Sequence, residues 1–231
     1  MNTLIRNEVI NALVDYKYLL NRGYSQKLSL DFVTSRYGLS SVERALLLRC
    51  VHSDLDVAEV IKKKVYESEV GNYGLVIDGF NVLITLVSVI EGDYVYMCDD
   101  GIVRDLRSSK FKNVDVEILK EALNKLAKYL ERLRPHQTIV VLDKNVSKSG
   151  ELRNSIKNVF SNAKVVLASK ADIAVISTNA LTSSSDFVIL KKVSKVFDIA
   201  GYIITNEFRE RVVDVNELIR EGLKNLNLTM N

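Results

Sequence analysis

The residues best suited to chemistry are aspartates at the ends of apolar runs. Three of the four such runs end in an acid: Asp78 after 74–77, Asp99 and Asp100 after 94–98, and Asp143 after 138–142. In an open parallel sheet, ligands bind beyond the carboxyl ends of the strands, so these acids would share one crevice. Carboxylates that share a crevice repel one another unless a cation lies between them. The pattern therefore predicts a divalent-metal site, against the alternative that each aspartate only forms a turn or caps a helix.

The elements that would position these acids are four short runs rich in β-branched residues, separated by helical patterns. The fourth run is 164–168, and like the others it does not alternate between apolar and polar residues. Such runs indicate strands that are covered on both faces, as in a parallel sheet. The clearest helical pattern between them runs from Val116 to Leu133 and stops before Pro135. This alternation predicts a doubly wound, three-layer α/β domain.

The beginning of the chain shows helical spacing only. Apolar residues recur at helical intervals over 3–22, and no strand is evident before residue 70. Ser40 followed three residues later by Glu43 is typical of a capping box at the start of a helix. A glycine-containing stretch then indicates a linker. We therefore expect a small all-α module at 1–70 and an α/β domain at 71–231.

Composition narrows the classes of protein and of metal site. The 231 residues are 47% hydrophobic and 26% charged, as expected for a folded protein with a large core. The N-terminus carries charged residues and no run reaches the ~18 apolar residues of a membrane span, so we expect a cytoplasmic protein. Two cysteines and two histidines exclude a thiolate or histidine-rich site. A metal would therefore have oxygen ligands, which favours Mg²⁺ or Mn²⁺.

Charge is unevenly distributed along the chain. The net charge is only +3, but residues 100–170 contain fifteen Lys and Arg against eight Asp and Glu, and residues 71–99 contain four acids and no base. A basic segment beside an acidic one suits a polyanionic ligand held near a metal. A lysine-rich solvated surface is the equal alternative.

Several of these acids also match known motifs. Asp78 follows an apolar strand and precedes Asn81 by three residues, Asp143 ends a later strand, and Asp172 enters a helix after the fourth run. In this order they are similar to the motifs of the PIN-like nuclease superfamily, in particular its NYN branch.

The last motif of that branch has the form Ser-Gly-Asp-x-Asp-Phe. Asp186 and Phe187 match its end, whereas Ser184 stands at the place of its first aspartate, so that one ligand is weakened or lost. The segments DDGIVRD (99–105) and SKSGELR (147–153) resemble an uncharacterised family that joins a helical N-terminal module to such a domain. The resemblance covers about residues 73–205.

The resemblance implies a PIN-like fold and a metal-dependent endoribonuclease, in which Mg²⁺ or Mn²⁺ activates water for attack on a phosphodiester of RNA. The implied catalytic residues, which are also metal ligands, are Asp78, Asp143, Asp172 and Asp186, with Asp100 as a further ligand. The residues expected near the substrate are Asn81, Arg104, Ser147, Lys148, Ser149 and Arg153. The segment around Lys148 precedes a helix, and its free N–H groups and hydroxyls suit a phosphate as well as they suit an ordinary helix start.

Other functions stay open at this point. The change to Ser184 allows a catalytically degenerate PIN-like protein that only binds RNA. A phosphoryl-transfer or signalling domain is a third interpretation, suggested by the acidic pair Asp99 and Asp100. In such a domain the pair would follow the first strand, whereas in this sequence it follows the second. The sequence lacks a G-x-G-x-x-G after the first strand and a Walker-type G-x-x-x-x-G-K-[ST], which disfavours nicotinamide enzymes and NTPases. We expect RNA as the partner and no membrane, and a homo-oligomer stays open.

Overall fold

The structure, a computed structural model, describes residues 5–107, 114–160 and 162–229, and only the backbone of the last four. Its helices are α1 (Asn7–Asn21), α2 (Gln26–Tyr37), α3 (Ser41–Cys50), α4 (Asp54–Lys62), α5 (Gly79–Ile90), α6 (Val116–Leu133), α7 (Ser149–Val159), α8 (Ala171–Ser177), α9 (Phe187–Lys192), α10 (Ile199–Glu207) and α11 (Val215–Thr229). Its strands are β1 (Gly74–Asp78), β2 (Val95–Met97), β3 (Val103–Arg104), β4 (Gln137–Asp143), β5 (Ala163–Ala168), β6 (Leu181–Ser183) and β7 (Val212–Asp214). Short 3₁₀ helices lie at Glu67–Asn72 and Arg209–Arg211.

A four-stranded parallel sheet organises the α/β part of the molecule. Its strand order is β5-β4-β1-β6, and β1 pairs in parallel with both β4 and β6. Leu75 and Ile77 pack on one face with α5, α6 and α10, whereas Val76 packs on the other face with α8 and α9. The strands are therefore covered on both faces, and the predicted α/β class with helices on a parallel sheet is confirmed.

One predicted strand belongs to a different sheet. The run at 94–98 forms β2, which pairs antiparallel with β3 and parallel with β7 in a separate three-stranded sheet. The fourth strand of the parallel sheet is instead β6, a three-residue strand of sequence Leu-Thr-Ser. The expectation that Asp99 and Asp100 lie at the same edge as Asp78 is therefore wrong, because β2 does not pair with β1.

Helices α1–α4, which we call the helical front, pack against later parts of the chain. The predicted capping box is confirmed, since the Ser40 side chain accepts from the backbone of Glu43 and the Glu43 side chain accepts from the backbone of Ser40. The core of α1–α3 also contains Cys98, directly after β2, and Leu218 from α11. At Gly222 of α11 a Cβ would lie only 2.7 Å from a methyl of α1, so the two helices approach closely there. The predicted boundary near residue 70 stays a prediction, and hydrophobic packing crosses it.

Candidate functional site

Each strand of the parallel sheet delivers one aspartate to a single pocket. The acids are Asp172 after β5, Asp143 at the end of β4, Asp78 at the end of β1, and Asp186 after β6. They line a cavity of about 230 Å³ together with Asn81, Phe80, Ile84, Val146, Ala171 and Ile189. Although these residues are far apart in sequence, parallel strands end at one edge, where their carboxyl ends bring ligand-binding groups together. The structure therefore places the four predicted catalytic aspartates and Asn81 around the same cavity.

Asp78 is the buried member of the group. Helix α5 begins directly after it, and only a glycine fits at position 79, since a Cβ would lie 2.6 Å from the Leu142 side chain. The Asp78 Oδ2 accepts hydrogen bonds from Asn81 Nδ2 at 2.5 Å and from Ser184 Oγ at 2.8 Å. Burial raises the pKa of Asp78 above its ordinary value, the Asp186 charge adds to this, and the two side-chain hydrogen bonds oppose it.

The other three acids are more accessible. Asp143 is half-buried and its Oδ1 accepts from the backbone N–H of Asn145, whereas Asp186 is exposed and caps α9 by accepting from Val188 N at 2.8 Å. Asp172 is exposed in the first turn of α8. Within the described part of the chain, none of the four pocket aspartates forms an ion pair with a Lys, Arg or His. The pocket thus gathers negative charge without a protein counter-ion.

The ligand atoms that this pocket offers are of the type that a hard cation prefers. Four carboxylates and one amide offer oxygen ligands, which Mg²⁺ and Mn²⁺ prefer. In residues 5–107, 114–160 and 162–229, however, no group of three or more His, Cys, Asp or Glu is arranged so that it could hold a metal ion. The side chains as placed are therefore the right donors around one cavity, but not an assembled coordination sphere.

Ser184 occupies a central position in this arrangement. It is buried directly after β6, its hydroxyl donates to Asp78, and its Oγ also accepts from the backbone N–H of Asp186 at 3.1 Å. An aspartate here would place another negative charge against Asp78. The serine instead links two of the pocket acids through a neutral hydroxyl.

Basic residues flank the pocket along the chain. Lys144 follows Asp143, and Lys170 precedes the pocket residues Ala171 and Asp172; both lysines are exposed and form no ion pair with any described residue. The loops that carry them touch, since Asn145 Nδ2 donates to the carbonyl of Ser169 at 3.0 Å. Sequence reasoning missed these two lysines, although each is adjacent to a predicted or pocket-lining residue.

The predicted phosphate segment lies in the loop between β4 and α7. Ser147 and Lys148 are exposed, and Lys148 has a left-handed φ of 63° just before α7 begins. Ser149 is buried and its hydroxyl donates to the carbonyl of Lys144, while Arg153 is half-buried in α7. None of these four residues lines the acidic pocket, which the loop reaches through Val146.

The structure places Asp100 and Arg104 elsewhere. The two form a buried bidentate ion pair at 2.6 and 2.8 Å, and Arg104 Nε donates to the carbonyl of Ser185. Burial opposes the charged form of Asp100, but Arg104 outweighs it and holds the pKa of Asp100 below its ordinary value. Arg104 is 1% exposed. Asp100 does not line the acidic pocket, and Arg104 is too buried to contact a phosphate backbone. The two side chains neutralise each other inside the protein.

The Asp99 carboxylate is also held by hydrogen bonds within the protein. Its carboxylate accepts from Lys17 Nζ at 2.9 Å and from the backbone N–H of His52 at 2.7 Å, and it contacts His52 Nδ1 at 2.8 Å. It joins the helical front to the α/β part, in agreement with a structural role.

Fold and site define a mixed α/β protein with an acidic pocket at the carboxyl edge of its parallel sheet. The chain belongs to the family described as "Domain of unknown function (DUF5616)", which matches residues 67–202. Residues 8–64 match "Protein of unknown function (DUF434)". A relative from Methanocaldococcus jannaschii, "Uncharacterized protein MJ0935", is 33% identical over 183 residues, which cover 78% of this chain and 88% of the relative. No solved structure matches the chain significantly.

Within the described residues, no helix combines the length and the apolar character that crossing a bilayer requires.

Proposed function

We propose that the protein is a metal-dependent endoribonuclease with a PIN-like domain, which hydrolyses phosphodiester bonds of RNA at the acidic pocket. The observation that carries the proposal is the convergence of Asp78, Asp143, Asp172 and Asp186, one from each parallel strand, around one cavity without a basic partner among the described residues. Mutual repulsion makes such a group unfavourable unless a cation is bound, so its presence favours a metal site. Action in the cytoplasm and any self-association stay predictions.

The proposed ligands have different roles. Asp78, which is buried and held by Asn81 and Ser184, is the fixed ligand. Asp143, Asp172 and Asp186 are more accessible, and in Asp143 and Asp186 one carboxylate oxygen accepts from a backbone N–H. When bound, Mg²⁺ or Mn²⁺ supplies an activated water and offsets the charge that develops on the leaving oxygen. Hydrolysis adds this water across one P–O bond and yields a phosphomonoester and a hydroxyl.

The basic loops beside the pocket would hold the substrate. Lys144, Lys148 and Lys170 are exposed. Lys144 and Lys170 are adjacent to pocket residues in sequence and Lys148 lies two residues after Val146, so their ammonium groups are suited to the phosphates on either side of the cleaved bond. Between residues 144 and 170 the chain carries six Lys and Arg against one Glu. We therefore expect RNA binding to weaken steeply as salt rises.

A second candidate is an RNA-binding protein without catalysis. Ser184 at the place of a usual aspartate, together with the unassembled ligand sphere, favours this alternative. The basic loops would remain in that case, but divalent ions would bind weakly.

The test is cleavage of a labelled RNA with Mn²⁺ by the purified protein and by Asp78→Asn. We expect the substitution to lower cleavage at least about a hundredfold, because it removes the buried negative ligand, while the circular dichroism spectrum stays unchanged. Cleavage by Asp78→Asn at the wild-type rate would refute the assignment.

The chain offers a matched control for the pocket. Asp186 caps α9 and Asp115 caps α6 through the same kind of hydrogen bond, from the backbone N–H two residues later. Asparagine preserves both caps. Asp186→Asn should therefore reduce cleavage strongly and Asp115→Asn should not; equal loss in both would show that the effect does not come from the pocket.

A further inference from the structure

A second cavity, of about 360 Å³, lies beside the acidic pocket at the junction of the helical front and the α/β part. It shares the lining residues Asn81, Ile84 and Asp186 with that pocket, so the two cavities are adjacent. Its size is at the lower end of small-molecule pockets, which allows one nucleotide but not a duplex. An RNA strand whose phosphate lay at the acidic pocket would place its next nucleotide in this second cavity.

The walls of this junction cavity combine apolar surface with hydrogen-bond donors. Leu48, Ile84 and Val188 supply part of the apolar surface, and the Phe187 ring, stacked on His52 with centroids 3.6 Å apart, supplies the rest. The helical front adds the amide of Gln26. A nucleobase has two flat faces and a polar edge, so it fits a cavity with apolar walls and a few hydrogen-bonding groups.

One arginine of the junction cavity has donors to spare. Arg104 is held by Asp100, and Arg107 is held by Glu91 and Asp93. Arg49, on α3, contacts only Asp105, through a single guanidinium nitrogen at 3.3 Å, among the residues whose positions are known. Because guanidinium carries five N–H donors, most of those of Arg49 are available to a ligand.

Ser185 adds an unsatisfied polar group to the same lining. It is 6% exposed, and its hydroxyl has no hydrogen-bond partner in the described structure. A buried hydroxyl without a partner is costly, and a polar ligand nearby would offset that cost.

We infer that the junction cavity binds one unpaired nucleotide next to the cleaved phosphate, with Arg49 as a substrate contact. The helical front is then part of the substrate site, and the protein selects single-stranded or unpaired RNA, because a paired base cannot enter the cavity without leaving its stack. This inference rests on the proposed function for its placement beside the cleaved bond.

The first measurement is binding without catalysis. A fluorescein-labelled single-stranded RNA of about twelve nucleotides, and the same strand in a full duplex, are titrated with the whole protein in EDTA and followed by fluorescence anisotropy. We expect the single strand to bind more tightly than the duplex, and Arg49→Ala to weaken that binding about tenfold. Equal affinity for strand and duplex would overturn the inference.

Two further variants keep the result interpretable. Arg44→Ala removes the same charge from the same helix, but Arg44 pairs with Asp31 and does not line the cavity, so its affinity should equal that of the wild type. Leu48→Trp introduces a larger side chain at a cavity-lining position that is 38% exposed, and should weaken binding as Arg49→Ala does. If Arg49→Ala and Leu48→Trp both bind like the wild type, the junction cavity is not a nucleotide site.

A small diester separates the two proposals. Bis(p-nitrophenyl) phosphate has a phosphodiester but no base, so its hydrolysis by the wild type with Mn²⁺ reports on the acidic pocket and does not require a base in the junction cavity. If the wild type hydrolyses neither this diester nor RNA while binding still depends on Arg49, the nuclease proposal fails and the nucleotide site stands. If the diester is hydrolysed but Arg49→Ala and Leu48→Trp leave RNA binding unchanged, the nuclease proposal stands and the nucleotide site fails.

Discussion

Two groups of acids follow strands in this protein, and they differ in what surrounds them. Asp99 and Asp100, after β2, are buried and neutralised by Lys17 and Arg104. The four aspartates at the edge of the parallel sheet have no such partner in the described residues, and only Asp78 among them is buried. Similar sequence patterns thus give an internal ion-pair network in one region and an open acidic pocket in the other. A carboxylate with a built-in counter-ion stabilises structure, whereas one without is available to a ligand.

The largest expected effect is on stability, in the paired group. Asp100→Asn should lower the free energy of unfolding by about 3–5 kcal/mol, because it leaves the buried Arg104 without its compensating charge. Chemical denaturation in EDTA measures this. A denaturation midpoint equal to that of the wild type would mean that the Asp100–Arg104 ion pair does not stabilise this region.

The next effect is on activity, in the unpaired group. Asp172→Asn should lower cleavage of RNA about a hundredfold, since a ligand is lost, and change the free energy of unfolding by less than about 0.5 kcal/mol, since the side chain is exposed. Cleavage assays and denaturation of the same preparation give both values. If Asp172→Asn lost stability but kept cleavage, Asp172 would belong with the acids that stabilise the structure and not with those available to a ligand.

A smaller effect should appear in the metal-free pocket. Burial and the Asp186 charge raise the pKa of Asp78, so between its ordinary value of 3.8 and the raised value the folded protein binds more protons than the unfolded chain. Wild-type stability therefore declines as pH rises through this window, and the contribution stays unfavourable at neutral pH. Asp78→Asn should then melt at a higher temperature than the wild type in EDTA at pH 7, with its hydrogen bonds to Asn81 and Ser184 kept.

The same pair of proteins responds differently to metal. Added Mn²⁺ should raise the melting temperature of the wild type and leave that of Asp78→Asn unchanged. A wild type that is more stable than Asp78→Asn in EDTA would show that the pocket carries no repulsion.

The smallest effect belongs to an exposed ion pair in the helical front. The hydrogen bond from Arg6, at 2.6 Å, lowers the pKa of Glu43 to about 2. A lowered carboxyl pKa contributes stability above its ordinary value of 4.5 and loses it as pH falls through about 2. Glu43→Gln should therefore cost less than about 1 kcal/mol at pH 7, with no difference from the wild type below pH 2. A cost as large as that of Asp100→Asn would remove the distinction between buried and exposed pairs.

Sequence patterns located the pocket only in part. Strands β1 and β4 were predictable because burial on both faces requires continuous apolar residues, and Asp78 and Asp143 end them. Strand β6 was not, because its three residues include Thr and Ser and leave no apolar run. Asp172 and Asp186 were reached through the family resemblance alone.

Asp100 was misplaced for a physical reason. An apolar run indicates a strand but not its neighbours, and β2 pairs with β3 and β7 through contacts distant in sequence. Arg104, four residues after Asp100, is the signal that an ion pair was available. The bond from Ser184 to Asp78 spans 106 positions and has no local signature.

The most direct test of the acidic pocket is calorimetric titration of the metal-free protein with Mn²⁺, beside the double variant Asp143→Asn, Asp172→Asn. The account predicts saturable binding to the wild type and its loss in the double variant, which should remain folded because neither side chain is fully buried. No saturable binding to the wild type, or equal binding to both proteins, would contradict it.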